Sequence, residues 1–179
     1  VGLAQAGVQN VVATLGTAAT ASNVQRLLKA THRVVFCFDR DAAGDRAAWK
    51  AMDVSLEYLA DDKIVEILQM SGNQDPDEFI REHGRDAFLR EVQGATRLSE
   101  FLVRELVRQS NPNSAEGRAQ LVHLAKPLLQ KVAAPVLRVQ LTREIAQRAQ
   151  MAQAEVEVQC NLQPLARTRY VPQVARQRP

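Results

Sequence analysis

Aromatic residues make up only 4% of these 179 residues, and there are two cysteines. The shortage of aromatics excludes a core built on ring stacking. The 46% hydrophobic content must be supplied by Ala, Val, Leu and Ile, so an aliphatic, Ala-rich core is expected. Cys37 and Cys160 lie too far apart for zinc-ligand spacing. Cys37 also sits inside an apolar run, so a reduced, cytoplasmic protein is expected. No apolar run approaches the ~18 residues of a membrane span, which argues against a membrane partner. There is no charged leader, and the chain opens on Val1 rather than Met. It is therefore expected to be a piece whose beginning lies upstream. The three histidines, His32, His83 and His123, are scattered without ligand spacing. No Walker loop is present, because Gly16-Thr17 lacks the lysine that cradles phosphates. No internal repeat is detectable.

Acid is missing from the end of the chain. From Asn161 onward there are four arginines, Arg167, Arg169, Arg176 and Arg178, and no Asp or Glu. Removing those four from the net charge of +3 leaves residues 1–160 at −1. The folded part is thus not a nucleic-acid binder on charge alone. Residues 161–179 read as a disordered basic linker or tail, rich in Pro, Arg and Gln.

The informative stretch is Val34-Val35-Phe36-Cys37-Phe38-Asp39-Arg40-Asp41-Ala42-Ala43-Gly44. Its unbroken apolar run reads as a strand buried on both faces. Open α/β sheets present ligands at the carboxyl ends of their strands. Asp39 and Asp41 stand there, two residues apart, and so point the same way on an extended chain. Packing does not explain two like charges side by side, which repel unless a cation, an Arg or a proton separates them; a divalent cation held by oxygen ligands is the simplest account. The competing reading is a polar turn, which a single Asp would satisfy.

The remainder is coarse but ordered. Val11 to Leu15 reads as a short strand, followed by a helix from Thr20 capped by Thr20 or Ser22. After the strand Val34 to Phe38, a helix is expected over about Asp45 to Leu59. Lys63 to Met70 is a third strand, and the alternation implies parallel βαβ units. Asp75-Pro76-Asp77-Glu78 opens a helix that Gly84 closes. Asp75 is a good cap, Pro76 suits the first helical turn, and Glu78 completes a capping box. This second acidic pair also follows a strand, so both pairs are expected to converge on one crevice. Helices are then expected over Asp86–Val92, Leu98–Gln109, Ser114–Lys131 and Pro135–Gln150, with a weak one in Ala152–Asn161. Pro127 is expected to kink or interrupt its helix.

These residues match a known family. Phe38 to Gly44, followed by Asp75-Pro76-Asp77, resembles the Toprim domain. With Leu15 to Thr20, Ala47-Ala48-Trp49, Leu98 to Leu102 and Gly117-Arg118, the chain resembles more narrowly the catalytic core of bacterial replicative DNA primases (DnaG-type) over about residues 1–150. The resemblance implies a Toprim-like parallel sheet with flanking helices, truncated at its N-terminal side, in residues 1–85, and an all-α helical subdomain in residues 86–160. It implies that Asp39 and Asp41 are catalytic and that Asp39, Asp41, Asp75 and Asp77 hold Mg²⁺ or Mn²⁺. Gly16 and Thr17 are weaker candidates for nucleotide contact. The implied reaction is synthesis of short RNA primers from ribonucleoside triphosphates on single-stranded DNA. A replicative helicase is the implied partner, through a C-terminal domain not in this sequence; zinc belongs only to an equally absent N-terminal domain. Two departures stand out. Arg40 replaces the usual Gly between the aspartates, and the family's glutamate strand should precede Val1. The 179 residues alone are therefore expected to make no primers.

A topoisomerase needs a nucleophilic Tyr, and neither Tyr58 nor Tyr170 has a suitable setting. A phosphatase using Asp39 as nucleophile lacks its later Thr and Lys motifs. A Toprim nuclease and a non-catalytic replication module remain as alternatives.

Overall fold

The computed structural model describes residues 2–13, 19–70 and 75–162. Its elements are helix α1 (Gly2–Gln5), α2 (Ala21–Ala30), strand β1 (Arg33–Phe38), α3 (Ala42–Leu56), β2 (Ile64–Gln69), α4 (Pro76–Gln93), β3 (Thr96–Arg97), α5 (Leu98–Ser110), α6 (Ala115–Lys131), α7 (Pro135–Ala149) and α8 (Gln153–Gln159).

β1 and β2 pair in parallel, with Val34 opposite Val65 and Phe38 opposite Gln69. Both carboxyl ends therefore reach the same edge. Side chains on a strand alternate between faces, and each face of this sheet meets its own core. Val34, Phe36, Phe38, Val65 and Ile67 face the larger cluster. Val35, Cys37, Leu68 and Met70 face a smaller one, completed by Leu3, Val8 and α4 residues Phe79, Ile80 and Phe88. This two-sided burial is why both strands read as continuous apolar runs.

One expectation fails and one is extended. Val11 to Ala13 form no strand, and Val12 is 72% exposed. Without a described neighbour to pair with, β-branched residues gain nothing from extension; Thr14 and Leu15 lie outside the described residues. The sheet is also not purely parallel, because β3 runs antiparallel to β2, pairing Glu66 with Arg97 and Ile67 with Thr96. A long-range ionic contact holds it there: Glu66, 4% exposed, bonds Arg33 Nε at 2.7 Å and Arg97 Nε at 3.0 Å. No local signal in a two-residue strand predicts this.

Helix boundaries follow their caps. Thr20 caps α2 through Asn23 N, Asp75 caps α4 through Glu78 N, and Ser114 caps α6 through Gly117 N. α4 passes through a non-helical Gly84 at φ 81°, so the expected stop at Gly84 is a break between two helical pieces of one element. α6 runs on through Pro127 to Lys131; the missing N–H costs one bond to the His123 carbonyl without interrupting the helix.

The helical half is fastened to the sheet. The larger core continues from Val65 and Ile67 into Leu102, Leu121, Leu129, Ile145 and Val156. Lys131 Nζ meets Asp53 at 2.7 Å. Asp61 accepts from Val136 N at 3.1 Å and Leu137 N at 2.9 Å, capping α7 from across the fold.

Candidate metal centre at the carboxyl edge of the sheet

β1 ends at Phe38, and the chain turns through Asp39, Arg40 and Asp41 into α3. Asp41 is the N-cap of α3, and its Oδ1 accepts from Gly44 N at 2.6 Å. The helix thus opens three residues earlier than periodicity suggested, because the acidic motif itself starts it. Gly44 is required by close approach: a Cβ there would overlap the Asp39 carbonyl oxygen and lie 2.9 Å from its carbonyl carbon. The first turn of α3 therefore packs directly on the Asp39 main chain and fixes the spacing of the two carboxylates.

Both carboxylates are exposed. Capping uses one oxygen of Asp41, and Asp39 makes no side-chain hydrogen bond or ion pair among the described residues. Hard oxygen donors suit Mg²⁺, which is bound through one or two carboxylates, water and substrate phosphate rather than by an all-protein cage. In donor chemistry, Asp39 and Asp41 fit such an ion.

The second acidic pair is placed differently. Asp75 Oδ1 accepts from Glu78 N at 2.7 Å as the cap of α4. Asp77 turns to α1, its two oxygens accepting from Gly2 N at 3.3 Å and Leu3 N at 3.2 Å. Among the described residues no group of three or more His, Cys, Asp or Glu side chains is disposed to hold a metal ion. The expected convergence of both pairs in one cradle is not seen there: Asp41 and Asp75 cap α3 and α4 with one oxygen each, and Asp77 bonds the amides of α1. Gly16 and Thr17 lie outside the described residues.

Cys37 is on the strand just before the acidic turn. Burial first, then the charges of Asp39 and Glu91, push its thiol up to about 12. It is a protonated packing residue, without the thiolate needed for nucleophilic or ligand chemistry.

Beside Asp41 a cavity of about 930 Å³ opens between α3 and α5. Asp45 stands in its wall, and its Oδ1 accepts from Gln69 Nε2 at 2.6 Å. Arg40, Arg46, Trp49, Arg104 and Arg108 also line it. Nothing in the sequence spacing sets Arg104 or Trp49 apart as neighbours of the acidic turn. Only the packing of α5 against the sheet brings them to the acidic turn.

Two family models divide the chain. Residues 1–80 match a Toprim-like model, and residues 99–154 match the DnaB-helicase binding domain of primase. The DNA primase of Pasteurella multocida is 38% identical over 179 aligned residues, covering 94% of this chain and 31% of that protein. A crystal structure of a DNA primase domain from Pseudomonas aeruginosa superposes with a TM-score of 0.86 at 35% identity, covering 89% of this chain and 50% of that one. A DnaG primase catalytic domain bound to single-stranded DNA superposes at 0.81 and 35% identity, covering 86% and 49%. The chain thus spans about a third of the curated relative and half of each solved domain. From the two models, the shared sequence and the shared fold, the chain belongs to the bacterial DnaG-type DNA primases.

Proposed function

We propose that this chain carries the metal-binding edge of a DNA primase, which makes short RNA primers from ribonucleoside triphosphates on single-stranded DNA during replication. The observation that carries the reading is the Asp39–Asp41 turn, clamped by Gly44 at the carboxyl edge of a sheet in a primase-like fold. Asp39 and Asp41 would hold Mg²⁺ or Mn²⁺. The ion supplies charge neutralisation at the reacting phosphates and lowers the pKa of an attacking hydroxyl. The chain's own contribution is positional. The α3 cap holds one carboxylate, and the strand end presents the other toward incoming phosphate. Asp75 and Asp77 would join the same edge once nucleotide and metal are present, with Asp77 exchanging its α1 amides for that role. Gly16 and Thr17 are proposed to contact nucleotide.

Residues 1–85 are proposed as the Toprim part, 86–160 as the helical subdomain and 161–179 as a linker. The sequence reading placed the helicase contact beyond this sequence. The match of residues 99–154 to a helicase-binding domain supports placing a helicase-facing surface within α5 to α8 instead. No helix among the described residues is long and apolar enough to cross a membrane, in keeping with replication work in the cytoplasm. The chain alone is proposed to make no primers.

The test is primer synthesis on single-stranded DNA with Mg²⁺ or Mn²⁺, by this chain joined to the segments its relatives carry beyond it. Short RNA made by the parent and lost in Asp41→Ala and Asp75→Ala supports one polymerising site. Full activity in Asp75→Ala reduces that residue to a helix cap. DNA cleavage without RNA synthesis would leave the fold assignment and overturn the primase reading.

A further inference from the structure

A second hollow, of about 300 Å³, adjoins the large cavity at the carboxyl end of β2, and Arg40, Gln69 and Arg104 line both. Its volume stands at the lower bound of the usual ~300–1,000 Å³ range for ligand pockets, small for a whole nucleotide. Three guanidinium groups from separate parts of the chain meet there: Arg40 from the acidic turn, Arg90 from α4 and Arg104 from α5. Thr96 of β3, half-buried, adds a hydroxyl. Among the described residues Glu91 is the one carboxylate in the wall. Glu105 pairs with Arg104 at 3.6 Å from outside it. Asp39 and Asp41 flank Arg40 in the chain. All four acids keep their charge, so by themselves they offset the three arginines. With the two aspartates neutralised by a divalent ion, three cations face two anions. The affinity of this hollow for an anion therefore depends on what the acidic turn holds.

A guanidinium fork matches phosphate oxygens two at a time. Three forks around a small hollow suit a compact polyanion that offers oxygens on several sides. The proposed reaction releases one. When a 3′ oxygen bonds to the α-phosphorus of a ribonucleoside triphosphate, the bond from that phosphorus to the oxygen bridging the β-phosphate breaks. Pyrophosphate leaves with the electron pair of that bond, and the hydroxyl proton passes to solvent. We propose that the hollow ringed by Arg40, Arg90 and Arg104 binds this leaving pyrophosphate. Arg40 makes the link, because it stands between the two aspartates and also lines the hollow. The proposal rests on the primase reading for the source of the pyrophosphate alone. Binding of the anion needs neither metal nor polymerisation, so it is tested apart from both.

The experiment is equilibrium dialysis of the 179-residue chain against radiolabelled pyrophosphate, in EDTA and at low ionic strength. The hollow variant is Arg90→Ala/Arg104→Ala, and the charge-matched control is Arg143→Ala/Arg148→Ala on α7. All four arginines are exposed, and circular dichroism checks that each variant folds. The parent should bind pyrophosphate, and more tightly than orthophosphate. The hollow variant should bind it about tenfold more weakly, or weaker still, for the loss of charge-assisted hydrogen bonds. The control should stay within about threefold of the parent. Asp41→Asn keeps the cap on α3 and removes one charge, so it should bind pyrophosphate more tightly than the parent does. Equal losses in both double variants would reduce the binding to bulk charge and overturn the proposal. Orthophosphate bound as tightly as pyrophosphate, or no binding by the parent, would overturn it too. An Asp41→Asn chain that binds no more tightly would separate the hollow from the acidic turn and remove its part in the reaction. If Asp39 and Asp41 hold Mn²⁺ while the parent binds no pyrophosphate, the primase reading stands and the hollow assignment alone falls. If the hollow binds as expected while the longer protein makes no primers, the primase reading falls and takes the leaving-group role with it.

Discussion

Replacing Gly44 by Ala should damage both stability and the acidic turn. Gly44 is the third residue of α3, and its added methyl would overlap the Asp39 carbonyl oxygen and lie 3.3 Å from Asp39 N. The obstruction is main chain, so no side-chain rotation relieves it. Overpacking of a tight site costs about 1–3 kcal/mol, and a rigid backbone obstacle belongs at the upper end. Alanine recovers up to about 1 kcal/mol of helix propensity over glycine. The net loss is about 2 kcal/mol, or about 4–8 °C in Tm for a chain of this size. Gly94→Ala is the internal control, because its nearest neighbours would be Glu91 O at 3.5 Å and Arg90 O at 3.8 Å, an ordinary contact. That variant should stay within about 0.5 kcal/mol of the parent. Urea denaturation followed by far-UV circular dichroism measures both. A Gly44→Ala chain as stable as the parent, or more so, would refute the claim that α3 is clamped on Asp39.

Three further outcomes are expected. Glu66→Gln should lower the urea midpoint by the equivalent of about 1–2 kcal/mol without changing the slope. The cost is discounted because the Arg33 and Arg97 side chains remain 45% and 55% exposed and keep much of their hydration; an unchanged midpoint would remove Glu66 as the tie that holds β3. Asp61→Ala should cost about 1 kcal/mol as a lost cap on α7, measured in the same assay, and no loss would mean that the cross-fold cap is not formed in solution. Burial pushes the Cys160 thiol up from its ordinary 9.0, so at pH 8 iodoacetamide should label it slowly in the native chain and rapidly in urea. Because the fold keeps this thiol protonated, its contribution to stability is intact below pH 9 and declines as pH rises further. Rapid native labelling at pH 8 would contradict its burial.

What the sequence made legible was local. β1 and β2 announced themselves as apolar runs because each meets a core on both faces. The caps at Thr20 and Asp75 were readable because a cap and its amide lie three residues apart. The acidic turn was readable for the same reason, although its second role as the start of α3 was missed. Contacts between distant segments were not legible. Glu66 looks like a polar interruption of a strand until Arg33 and Arg97 arrive from either side. Asp77 looks like part of its own helix start, yet it caps α1 from 75 residues away. Val11 to Ala13 has strand composition but gains no described partner strand. The cavity beside Asp41 was not legible either, because it forms only where α5 packs beside α3.

The central claim is that Asp39 and Asp41 hold a divalent ion at the sheet edge. Mn²⁺ binding to this chain, followed by loss of the free-ion paramagnetic resonance signal, tests it most directly. Asp41→Asn is the informative variant, because Asn caps a helix about as well as Asp while removing the charge; Asp39→Asn accompanies it, and Glu116→Gln on the remote start of α6 is the control. The account predicts Mn²⁺ binding by the parent and by Glu116→Gln, and its loss in both aspartate variants while their circular dichroism is unchanged. Mn²⁺ bound equally well by all four proteins, or by none, would contradict it.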